Sequence, residues 1–125
     1  MSTGLDTHKE SDGRSVTVSL LYAIEANAVI YADGFLGISA RSGDSGDSVA
    51  LTVDRQEYQF TVPSGLSVSK GDIVRLDTTA ITSTHIPPDG AYNKNALSAT
   101  NINLFKATSD KDANNVVTGI LLAGV

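Results

Sequence analysis

The sequence predicts an all-β fold, a small single-domain β-barrel or β-sandwich with a flexible N-terminal arm. Three observations carry this. Of 125 residues, 31 are Val, Ile or Thr, types that suit pleated strands and lose rotamer freedom in helices. Apolar residues alternate with polar ones in short runs, and no stretch sustains a 3.6-residue period. Gly, Asp, Asn and Pro clusters interrupt the runs every eight to twelve residues or so, the spacing of a sandwich or barrel.

Residues 1–14 are polar, and Leu5 is their only large apolar residue after Met1. They read as a mobile arm. The β domain takes residues 15–125. Val16, Val18 and Leu20 open it with period two. Tyr22 to Asn27 reads as a bend or one helical turn. Ala28 to Ala32 and Phe35 to Ala40 flank Asp33-Gly34, a two-residue hairpin signal whose centres both need positive φ. Gly37 within the second strand marks a bulge or a close contact.

Arg41 to Ser48 is loop chemistry. Val49, Leu51 and Val53 form the next alternating set, and Tyr58, Phe60 and Val62 another. The few residues between them predict a hairpin. Pro63-Ser64-Gly65 ends it. Lys70-Gly71-Asp72 turns the chain into Ile73 to Leu76. Residues 77–101 form a long insertion around Pro87-Pro88-Asp89-Gly90, with room for one helical turn near Ala96-Leu97. Asn101 to Ala107 returns as a strand. Val116 to Ala123 is almost wholly apolar, so it is expected to be central in a sheet or buried on both faces.

Charge narrows the function classes. Nine Lys and Arg stand against 14 Asp and Glu, a net charge of -5. A nucleic-acid binder needs a basic surface to displace counterions, so none is expected as partner. No apolar run approaches the ~20 residues of a membrane span, and the first residues lack a signal-peptide h-region. There is no Cys, which excludes disulfides and thiolate chemistry.

Catalytic constellations are missing. Gly43-Asp44-Ser45-Gly46-Asp47 overlaps a serine-nucleophile string, but a triad needs a positioned His and Asp. The two His are His8, in the arm, and His85, beside Pro87. Asp110, Asp112 and Asn114 open with calcium-loop spacing. Asn115 then stands where Gly belongs and Leu121 where Glu belongs. Glu25, Asp47, Glu57 and Asp72 show no pairing rule. No cofactor or metal site is expected, and no enzyme. The expected contact residues are Leu5, Arg14 and Val16 on the arm, and Pro87, Pro88 and Tyr92 on the insertion. Tyr92 is also the best exposed aromatic for a carbohydrate- or receptor-binding module, the alternative class.

The order of motifs adds a further expectation. Asn27-Ala-Val-Ile-Tyr-Ala-Asp-Gly-Phe-Leu-Gly-Ile38 precedes Gly43-Asp-Ser-Gly-Asp-Ser-Val-Ala-Leu51. Tyr58-Gln-Phe-Thr-Val-Pro63 and Val68-Ser-Lys-Gly-Asp-Ile-Val74 follow. This series, with the strand at Val116 to Ala123, resembles the capsid decoration (head cement or head-fibre base) proteins of tailed bacteriophages. The resemblance spans roughly residues 15–76 and 115–124. It implies a β-tulip-like fold and a structural virion protein that bridges coat subunits on the capsid exterior. It also implies the major capsid protein and self, as a homotrimer, for partners, and synthesis in the host cytoplasm. Residues 77–101 are where the chain departs from it.

Overall fold

The structure is a computed structural model that describes residues 14–82 and 84–122. Among the described residues, nine strands form two antiparallel sheets, so the all-β expectation holds. The first half of the chain supplies β1 (Ser15–Ser19), β2 (Val29–Ala32), β3 (Phe35–Ser39) and β4 (Ser48–Thr52), ordered β1-β4-β3-β2. The second half supplies β5 (Glu57–Thr61), β6 (Ile73–Asp77), β7 (Tyr92–Asn93), β8 (Asn101–Ala107) and β9 (Val116–Leu121), ordered β5-β9-β8-β6-β7.

The period-two pattern fixes which face each residue takes. Val16 pairs Leu51 and Val18 pairs Val49, placing the four on one face of the first sheet. Ile30 and Ala32 of β2 join Val18, Val49 and Leu51 in one buried cluster. The opposite face of the β2–β3 hairpin carries Val29, Tyr31, Leu36 and Ile38. Leu36 and Ile38 belong to the larger core with Phe60, Val74, Leu104, Phe105, Val117 and Leu121. The hairpin therefore lies between two cores and ties the sheets together. Asp33 (φ 52°) and Gly34 (φ 81°) form its turn, as the Asp-Gly signal requires.

Two glycines explain close approaches. At Gly37 a Cβ would lie 2.7 Å from the Thr52 carbonyl oxygen, where β4 crosses. That settles its role as a close contact. At Gly119 a Cβ would collide with the Phe105 ring. Phe105 in turn stacks on Phe60 with ring centroids 4.1 Å apart.

The structure corrects several expectations. Residues Val49 to Val62 do not make a hairpin: β4 pairs β1 and β3, while β5 pairs β9 in the other sheet. Both edges of β4 are already occupied, so the chain crosses between sheets instead. No helix forms near Ala96-Leu97; single 3₁₀ turns lie at Thr78–Ala80 and Asp89–Ala91. The side-chain amides of Asn93 and Asn101 bond each other and hold this stretch in a non-helical path. Of the two placements expected for the last strand, β9 takes the central one, between β5 and β8, and Ile120 on one face is 37% exposed.

Candidate functional site

A cleft of about 420 Å³ opens where the two sheets diverge. Its first wall is Val29 and Ile38, from the face of the β2–β3 hairpin turned toward the second sheet, with Asn27 at the entrance. Its second wall is β5. Tyr58 and Phe60 point inward, and Gln59 and Thr61 point to the other side of the strand. All four line the cleft, so it runs along the outer edge of β5. Ile86 and Tyr92 from the long insertion complete it.

Among the described residues, no charged side chain lines this space. Burial pushes the Tyr58 hydroxyl above its ordinary range, and Asp54 nearby pushes it further, against a hydrogen bond with Thr52. Burial also raises the Tyr92 hydroxyl, with Asp89 adding to it. Both phenols therefore stay protonated at neutral pH, and an acidic residue stands beside each.

The insertion reaches this position through His85, which is buried (7% exposed). Its Nε2 accepts the Leu21 amide hydrogen at 2.9 Å. That acceptor role leaves the proton on Nδ1, which donates to the Tyr31 carbonyl at 3.1 Å. The His85 carbonyl also accepts the Tyr31 amide at 2.9 Å. Residue 85 thus acts as an added pairing position on the outer side of β2. Tyr22 packs edge-on against the imidazole. A shallow notch of about 270 Å³ exposes this corner, with Asp33 also on its rim. Both ring nitrogens are engaged, and Asp33 Oδ2 accepts the Ser19 amide. Neither group is free to act as a base.

The acidic loops hold turns. Asp47 Oδ2 accepts the Asp44 amide. Asp72 Oδ2 accepts the Ser69 amide, with Lys94 Nζ at 3.2 Å. The Ser69 bond and then Lys94 hold the Asp72 carboxyl below its ordinary range. Asp110 Oδ1 accepts from Lys70, and Asp112 Oδ1 from Asn114 and Val116. These are cap and turn bonds, and among the described residues no three His, Asp or Glu gather into a metal-sized group.

The contact residues expected from sequence fall apart in space. Leu5 lies outside the described residues. Arg14 is exposed, and its carbonyl already accepts the Val53 amide. Val16 is no arm residue: it pairs Leu51 within β1 and packs on the first-sheet cluster. Pro87 is buried, Pro88 exposed and Tyr92 half-buried. Much of the insertion is exposed, Pro88 and residues 94–100 included, but Pro87 is packed away and Tyr92 is a cleft wall instead of a surface platform. Among the described residues, the large exposed apolar side chains are Leu21, Tyr22, Phe35, Ile86, Leu97 and Ile120. The first two flank the His85 corner. Sequence reasoning missed that corner because 54 positions separate His85 from Tyr31. The partial signal was a His next to Ile86 and Pro87 in the long insertion.

No family model matches the chain, and no curated protein or solved structure matches it.

Proposed function

We propose that the protein is a non-enzymatic structural component of a tailed-phage virion, bound to the outer surface of the assembled capsid and bridging coat subunits. The observation that carries this reading is the use of its reactive side chains. His85 and the loop carboxylates of Asp33, Asp47, Asp72, Asp110 and Asp112 bond backbone amides or carbonyls and maintain the fold. What remains for a partner is surface: exposed apolar side chains, a cleft and an open strand edge. Such surfaces act by contact. The ordered motifs resembling capsid decoration proteins support the same reading, and they extend it to the major capsid protein as partner and to a homotrimer on the capsid exterior. The net charge of -5 suits an outward, solvated face.

The N-terminal segment is the proposed attachment arm. Removing residues 1–13 leaves Arg14, whose carbonyl accepts from Val53, and so leaves β1 paired. The truncated protein is expected to keep its circular dichroism spectrum and lose co-sedimentation with assembled shells. Undiminished sedimentation of the truncated protein would sink the arm assignment.

A further inference from the structure

Three of the four outer edges of the two sheets carry something that obstructs pairing. On β1 the Ser19 amide is taken by the Asp33 carboxylate. On β2 the Tyr31 amide is taken by the His85 carbonyl. β7 is two residues long. Among the described residues, β5 carries no such device. The Val62 amide donates to Asn115 and the Leu121 amide donates to Gln56. With the register Tyr58↔Gly119 and Phe60↔Val117, the even-numbered residues turn their polar groups toward β9. Glu57, Gln59 and Thr61 turn theirs away, toward no partner among the described residues. An edge without Pro, Lys, bulge or cover is a template for another strand.

This edge is also the lip of the cleft. An added strand would hydrogen-bond to β5 and place alternate side chains between the sheets. Residues opposite Tyr58 and Phe60 would enter toward Val29 and Ile38, and the residue opposite Gln59 would face solvent. The lining is uncharged, but its surroundings are acidic. Asp54 lies beside Tyr58 and Asp89 beside Tyr92, while the Glu57 carboxylate accepts from Thr108 Oγ1 on the β9 side of the strand. Arg55 alone offsets them on the approach to β5. A second copy's β5 fits poorly, because pairing would bring two Asp54–Glu57 segments of an acidic chain to one seam.

We infer that the open seam between β5 and the β2–β3 hairpin accepts an extended strand of the protein it docks on, apolar–polar–apolar in pattern and flanked by Lys or Arg. The inference rests on the shell-binding reading and names a contact surface for it.

The test uses the full chain, isotope-labelled, with two capped synthetic peptides, KITVK and EITVE. The first is expected to bind saturably and to slow amide exchange at Glu57, Gln59 and Thr61 about tenfold or more. EITVE is expected to bind at least about tenfold more weakly. Gln59→Pro removes an N–H that β9 does not use and is expected to weaken KITVK about tenfold. Exchange in the unaltered chain decides between the outcomes even where that variant fails to fold. Four results overturn the inference: no KITVK binding at millimolar concentration, binding without slowed exchange at those amides, equal binding of EITVE, or a free chain whose β5 amides are already protected in a self-associated species. Peptide binding without any shell attachment would overturn the shell reading and leave the seam standing. A folded Gln59→Pro that attaches to shells as well as the parent would overturn the seam as the shell contact and leave the shell reading standing.

Discussion

At the residue scale, His85 shows how a polar side chain can look functional in sequence and be structural in space. A buried imidazole with both nitrogens engaged joins the insertion to the first sheet. His85→Ala strips a partner from the Leu21 amide and from the Tyr31 carbonyl, at a cost of about 2 kcal/mol. The urea midpoint is expected to fall accordingly, and an unchanged midpoint would contradict the bridging role. Asp72 gives a pH-dependent counterpart. Its folded-state pKa is depressed, first by the Ser69 amide and then by Lys94. Its contribution is complete above the ordinary carboxylate value of about 3.9 and is lost as pH falls through the lower folded value. A carboxyl-carbon NMR titration should place Asp72 below the exposed carboxylates, and Asp72→Asn should reduce the acid sensitivity of the 69–72 turn.

At the element scale, strands were legible and their partners were not. Alternation located β1, β5 and β8 to within a residue or two, since one buried face imposes period two. Asp33-Gly34 announced the β2–β3 turn because few residue pairs tolerate two positive φ values. The β4–β5 connection misled because short spacing alone signals a hairpin. Nothing local records that β1, arriving from more than thirty positions earlier, already occupies one side of β4. The cleft was invisible for the same reason, being built from residues 27–38, 58–61, 86 and 92. Gly119 tests the packing of β9 on β8. Gly119→Ala drives a methyl into the Phe105 ring, which is pinned against Phe60, and is expected to cost about 2 kcal/mol. Gly65→Ala meets open space at a negative φ and is expected to be neutral or to stabilise by about 0.5 kcal/mol. Equal thermal midpoints for the two variants would contradict this packing.

At the scale of the whole molecule, each half of the chain makes one sheet, and the β2–β3 hairpin connects their cores. Among the described residues, that plan leaves a seam and a strand edge open, while Asp47, Asp72 and Asp112 tie down turns. Composition foretold the all-β class, because an excess of β-branched residues favours pleated strands wherever they fall in the chain. The relation between the sheets was beyond sequence patterning, because it depends on pairings across the full length of the chain. The proposed role is mechanical, to strengthen a capsid by bridging its subunits. Its most direct test is the rupture temperature of purified shells, followed by dye access to packaged DNA, with and without saturating full-length protein. The account predicts a rise of several degrees that disappears when residues 1–13 are removed. A rupture temperature unchanged at saturation would contradict it.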